Sequence, residues 1–167
     1  MKILTMNENT LHIKYDEYET EKELSPEYLS LLTKAREAAR DAYAPYSKFH
    51  VGAALKLENG TIITGNNQEN AAFPSGLCAE RVAVFSAAAN HPGQAVELIA
   101  ITAKTENFEL NHPVSPCGAC RQVLAEYEIL HKKPMTIILG GETGKIVVLK
   151  GIGNLLPLIF DGSDLKK

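Results

Sequence analysis

Positive charge is the first thing this sequence is short of. Its 167 residues hold 17 Lys and Arg against 20 Asp and Glu, a formal net charge of −3 at pH 7. The electrostatic footprint that drives binding to a phosphate backbone is therefore missing, and no nucleic-acid partner is expected. Long apolar runs are missing too: stretches such as Leu98 to Ile101 or Val82 to Phe85 reach about four residues, against the roughly 20 that cross a bilayer. No membrane partner is expected. Between Lys2 and Thr10 only Ile3, Leu4 and Met6 are apolar, which makes no secretory hydrophobic segment, so a cytoplasmic protein is expected. Internal repeats and low-complexity tracts are absent. Gly140 to Lys145 resembles a phosphate-binding loop only superficially, because Leu139 stands where the first glycine belongs and Ile146 where Ser or Thr belongs; it reads as a turn. Cysteine is scarce as well. Three cannot all pair within one chain, and in a reducing compartment thiols serve metal or catalysis more readily than disulfides.

What is present is enough for one domain with a core, since 45% of the residues are hydrophobic and 22% charged. Residues 1–24 read as an acidic N-terminal extension and 25–167 as the domain. Within the extension, Lys14 to Glu23 carries Asp16, Glu17, Glu19, Glu21 and Glu23 and reads as a solvated arm, while Leu11, Ile13 and Tyr15 alternate as a short strand would. Ser25 and Pro26 then form an N-cap and first helical position, and apolar residues recur at helical spacing up to Tyr43. Asn59-Gly60 between Val51–Leu57 and Thr61–Thr64 predicts a hairpin. A helix from about Cys78 to Ala89, a strand from Leu98 to Ala103, a helix from Cys117 to about Tyr127, strands at Met135–Leu139 and Lys145–Leu149, and a short helix near Leu155 follow. This order predicts a layered α/β domain around a mixed sheet of five strands.

Every cysteine falls at the start of a predicted helix: Cys78 in Cys78-Ala79-Glu80, and Cys117 with Cys120 in Pro116-Cys117-Gly118-Ala119-Cys120. Helix N-termini lower thiol pKa and favour the thiolate that a metal requires. The Cys-x-x-Cys spacing lets two sulfurs reach one tetrahedral centre, and Cys78 supplies a third, so zinc is the expected ion. Three ligands leave a position for water, which points to a catalytic rather than a structural site, and Glu80 stands two residues from a ligand, placed to move protons. Two positive charges on zinc against three thiolates call for a nearby cation; Arg81 and Arg121 are the candidates to donate to sulfur without being ligands themselves. His12, His50, His91, His112 and His131 show no ligand spacing, and only His112 is a rival ligand. The alternatives are a Cys117–Cys120 redox pair with a spare thiol at Cys78, and a non-catalytic module whose zinc serves folding alone.

The Cys78-Ala79-Glu80 and Pro116-Cys117-x-x-Cys120 pair resembles the zinc deaminase signature. Tyr43 to Phe49, Val51 to Ala54, Gly65 to Ala72 and Ser115 to Leu124 further resemble the small, tetrameric cytidine deaminases, a likeness running from Leu29 to Phe160. The resemblance implies a three-layer α/β/α fold and one zinc per subunit on Cys78, Cys117 and Cys120, with Glu80 as the proton shuttle in hydrolysis of cytidine and 2′-deoxycytidine to uridine and 2′-deoxyuridine. It also implies Phe49 against the base, Asn67 and Glu69 on the ribose hydroxyls, and a homotetramer with active sites at subunit interfaces, in which Phe160 of Leu155-Leu156-Pro157-x-x-Phe160 enters a neighbour's pocket. A blasticidin-type aminopyrimidine nucleoside deaminase is the runner-up. Phe73 departs from the pattern, since a Tyr is common there, and so does the extension.

Overall fold

A computed structural model describes residues 7–165. Residues 1–6, which carry Ile3, Leu4 and Met6 of the predicted non-secretory start, and residues 166–167 lie outside the described residues.

The Asn59-Gly60 pair closes a hairpin. Gly60 takes φ +83°, a left-handed conformation open to glycine, and its N–H donates to Leu57 O at 2.8 Å. Strand β2 (Phe49–Leu57) thereby returns antiparallel as β3 (Ile62–Asn66). The other edge of β2 pairs antiparallel with β4 (Val96–Thr105), and β4 runs parallel to β5 (Thr136–Leu139). Residues 140–145 then form the expected turn into the antiparallel β6 (Ile146–Lys150).

Two strand expectations are corrected. The sheet has six strands, not five, in the order β1-β6-β5-β4-β2-β3, and β1 is Asp16–Tyr18 rather than the alternating Leu11, Ile13 and Tyr15, which stay exposed. Part of the acidic arm is therefore sheet edge. Its Glu17 and Glu19 pair with Lys145 at 2.6 and 3.0 Å, and within β1 only Tyr18 packs against the core, so apolar alternation does not report the strand.

Period-two alternation sorts the strand residues between two faces. Leu55, Leu57, Ile99, Ile101, Ile137 and Leu139 meet α2 (Ala79–Asn90) and α3 (Gly118–His131), while Ala54, Leu98, Ala100 and Ile138 meet α1 (Pro26–Arg40). This is the three-layer α/β/α arrangement. Helix α1 begins as expected, with Ser25 Oγ accepting from Tyr28 N–H at 3.3 Å, but ends at Arg40. Tyr43 leaves the helix because its backbone is taken by the chain ahead of the cysteines: Tyr43 N–H donates to Asn67 O at 3.0 Å and Glu69 N–H to Tyr43 O at 2.9 Å. The expected helix near Leu155 is one 3-10 turn, Ile152–Asn154.

Two glycines let helix backbone lie directly on strand. A Cβ at Gly52 would stand 1.9 Å from Ala35 O, and one at Gly65 2.6 Å from both Ala79 O and Ala83 N. Gly65 thus allows the first turn of α2, which follows Cys78 and carries Glu80, to settle on β3.

Candidate active site and metal centre

Helices α2 and α3 each open on a cysteine. Cys78 and Cys117 occupy the N-cap positions in extended backbone, and neither side chain makes a capping hydrogen bond, so both sulfurs remain free for other partners. Cys120 is buried in the first turn of α3. The Cys78 and Cys117 sulfurs are 3.8 Å apart, and the three Sγ atoms all lie within 4.8 Å of one another. Zn–S bonds near 2.3 Å in a tetrahedron place sulfurs about 3.8 Å apart, so the trio fits a zinc ion. Among the described residues no other group of three or more His, Cys, Asp or Glu side chains converges in this way; His112 is not part of it. A redox pair at Cys117 and Cys120 leaves the arrival of the third sulfur unexplained.

The local electrostatics favour a cation. Hydrogen bonding from Cys120, reinforced against burial by Arg81 and Cys117, draws the Cys78 thiol down to about 5. The same contact with Cys78, together with burial and the Glu80 charge, pushes Cys120 above the ordinary thiol range. One thiolate is thus ready near neutral pH, and the buried thiol would give up its proton to solvent when a metal is bound.

Glu80, the second residue of α2, is 4% exposed, and its Oε2 is buried with no hydrogen-bond partner. Burial raises its pKa above the usual carboxylate range, and the neighbouring Cys78 charge adds to the shift. Glu80 lines a cleft of 810 Å³ together with Cys78 and Cys117, a size that accommodates a small ligand. An unpartnered carboxyl in such a cleft is placed to exchange protons with whatever fills it.

Phe49, Asn67 and Glu69 line the same cleft. Asn67 clamps the start of β2: its Oδ1 accepts from Val51 N–H at 2.7 Å and its Nδ2 donates to Phe49 O at 2.9 Å. Glu69 accepts from Tyr46 N–H at 2.9 Å, from Ser47 N–H at 3.3 Å and from the Ser47 hydroxyl. The Ser47 contact is the main reason that its carboxyl is held below the usual range. Tyr46 and Phe73 meet edge-on at the rim, ring centroids 6.1 Å apart, a contact that needs no phenolic hydroxyl at position 73. Sequence reasoning missed Ser47, Tyr46 and Phe73 as cleft residues. Only their place in the Tyr43-to-Phe49 segment or beside Gly65-to-Ala72 could have signalled them.

The two arginines diverge. Arg81 Nη2 lies 3.6 Å from Cys78 Sγ and 3.5 Å from Gly76 O. Arg121 does not donate to sulfur, contrary to expectation: its guanidinium is taken by two backbone carbonyls, Nε donating to Pro116 O at 2.8 Å and Nη1 to Leu155 O at 2.7 Å. It ties the metal-binding loop to the C-terminal segment instead. Phe160 is 60% exposed, is not among its own cleft's lining residues, and is fixed by Gln122 Nε2 donating to its carbonyl at 2.8 Å.

Residues 26–133 match the family described as the cytidine and deoxycytidylate deaminase zinc-binding region. The chain belongs to that family. A cytidine deaminase of Sporosarcina psychrophila is 42% identical over 135 residues, which cover 81% of this chain and 92% of the relative. A blasticidin-S deaminase of Bacillus cereus is 30% identical over 139 residues, covering 82% of this chain and 94% of the relative. The crystal structure of a Burkholderia pseudomallei cytidine deaminase superposes with a TM-score of 0.69 at 39% identity, covering 82% of this chain and 100% of that one. The family and the three converging sulfurs make zinc the cofactor of this deaminase-family chain.

Proposed function

We propose that the protein hydrolyses cytidine and 2′-deoxycytidine to uridine and 2′-deoxyuridine, releasing ammonia, and so serves pyrimidine salvage. The observation that carries this reading is a buried, unpartnered carboxylate oxygen on Glu80 in the same cleft as two of the three converging sulfurs. Cys78, Cys117 and Cys120 would hold the zinc. When bound, the ion supplies Lewis acidity, which makes water a competent nucleophile near neutral pH. Glu80 takes a proton from that water and gives it to N3 of the pyrimidine, so that C4 accepts the attack. It then passes the water's second proton to the departing amine. Arg81, within 3.6 Å of Cys78 Sγ, offsets the negative charge of the thiolates.

Phe49 lies against the base, Glu69 receives a ribose hydroxyl, and Asn67 keeps the start of β2 in place while retaining one amide hydrogen for the sugar. Among the described residues lining the cleft, Arg81 is the only lysine or arginine, and it is turned to sulfur. A nucleoside 5′-phosphate would find no free cation there, which supports a nucleoside over a nucleotide. The deaminase domain takes in residues 25–167, with 1–24 as an extension that adds the edge strand β1 to its sheet. The assembly is a cytoplasmic homotetramer whose Phe160 enters a neighbour's cleft. Supporting this, Phe160 is exposed, and Leu158 beside it is 90% exposed and held at φ +56°. No helix among the described residues is long and apolar enough to cross a membrane.

The test is metal analysis of the purified protein followed by the absorbance change on adding cytidine. One zinc per chain with ammonia released is the expected result; zinc without turnover would leave a metal-stabilised module. The 30% identical blasticidin-S deaminase supports a second reading, in which the cytosine ring of that antibiotic is the substrate. Turnover of the two compounds, compared side by side, decides between them.

A further inference from the structure

One small hydroxyl on the cleft wall joins two groups assigned above to the substrate. Ser47 Oγ accepts from Phe49 N–H at 3.0 Å and donates to Glu69 Oε1. The direction of this chain is set by its ends: an amide N–H only donates and a carboxylate only accepts, so the single hydroxyl proton lies on the Glu69 side. Glu69 Oε2 accepts from Tyr46 N–H at 2.9 Å and Ser47 N–H at 3.3 Å. Three of the roughly four acceptor positions of a carboxylate are then filled, and the open one is on Oε1, the oxygen that Ser47 orients. The turn that achieves this is strained. Lys48, between Ser47 and Phe49, sits at φ +56°, a left-handed conformation unfavourable for any residue with a Cβ. Its N–H is held by Ala44 O at 3.1 Å. Such a conformation persists where surrounding bonds over-determine it.

We propose that Ser47 is a positioning residue for sugar recognition, which aims the Glu69 carboxylate so that a single ribose hydroxyl finds an acceptor on Oε1. This rests on reading the cleft as a nucleoside site. The hydroxyl also keeps Glu69 ionised, and hence acceptor-only, further into the acid range than an ordinary carboxylate. Phe49 is drawn into the same chain through its amide, so base stacking and sugar binding share one anchor.

The experiment compares wild type with Ser47→Ala, Ser47→Cys and Ser47→Thr in the zinc-loaded protein, on cytidine and on 2′,3′-dideoxycytidine, which lacks the 2′- and 3′-hydroxyls that Glu69 would receive. Ser47→Ala is expected to raise KM for cytidine about tenfold with kcat within about threefold, the size of one hydrogen bond to a charged group. On the dideoxy substrate the two enzymes should have the same KM. Ser47→Thr, which keeps the hydroxyl, restores the cytidine KM; Ser47→Cys, a weak donor, falls between and replaces Ser47→Ala if that variant does not fold. An unchanged cytidine KM in Ser47→Ala, or an equal rise on both substrates, overturns the proposal, the second outcome marking a merely structural role. Calorimetric titration of uridine separates this from the deaminase reading. If wild type releases no ammonia from cytidine yet binds uridine about tenfold more tightly than Ser47→Ala does, the reading fails and the positioning role stands.

Discussion

The two ends of the cleft are built on opposite principles. At the metal end, Cys78 and Cys117 cap helices without bonding to them, and Glu80 keeps a buried oxygen with no partner. These groups are left free for something that arrives. At the sugar end, Asn67 bonds the backbone of Phe49 and Val51, and Glu69 bonds Tyr46 and Ser47. These groups are largely committed to one another before any ligand is present. Unsatisfied groups on rigid helix starts suit chemistry, where charge must be met as it develops. Pre-bonded groups on a turn suit recognition, where geometry rather than reactivity is needed.

Substitutions at the two ends should therefore fail in different ways. The largest effect is expected for Cys120→Ser: zinc falls to a small fraction of one per chain, and cytidine turnover drops by at least about 10³-fold, as metal analysis and the ultraviolet assay would report. If zinc is retained in full, the three-sulfur centre is wrong. Next comes the scaffold beneath that end. Gly65→Ala places a Cβ 2.6 Å from Ala79 O and Ala83 N, so denaturant unfolding of the zinc-loaded protein should show a loss of about 2–3 kcal/mol. An unchanged midpoint would mean that α2 does not need its close approach to β3. At the sugar end, Glu69→Gln should raise KM for cytidine roughly 10–100-fold while keeping zinc and most of kcat. A collapse of kcat with unchanged KM would erase the distinction between the two ends. The smallest effect is expected far from both: Lys145→Ala should speed amide exchange at Asp16–Tyr18 without altering turnover, because Lys145 pairs with Glu17 of that edge strand and Glu19 just beyond it.

The same contrast explains what could be read from residues alone. The metal end was legible because ligand chemistry restricts residue type and spacing: Cys117 and Cys120 three apart at a helix start, and Cys78-Ala79-Glu80 at another, have few other uses. The hairpin at Asn59-Gly60 and the split of β2, β4 and β5 side chains between two faces were legible for a similar reason, since backbone geometry restricts the choice. Strand β1 was hidden because only Tyr18 of it packs against the core, and its other residues, Asp16 and Glu17, are those a solvated arm would also carry. Arg121 was misread because adjacency to Cys120 in sequence says nothing of direction on a helix, and its side chain reaches back to Pro116 O and across to Leu155 O. Ser47 left no signal beyond its place in the Tyr43-to-Phe49 segment. A serine in a loop is ordinary until the fold brings Glu69, 22 residues away, to its hydroxyl.

Glu80→Gln tests the central claim most directly, because it removes the free carboxylate and leaves the sulfurs alone. The variant should bind one zinc per chain, melt near the wild-type temperature and release ammonia from cytidine about 10²- to 10⁴-fold more slowly. Turnover at the wild-type rate with zinc in place would contradict the account.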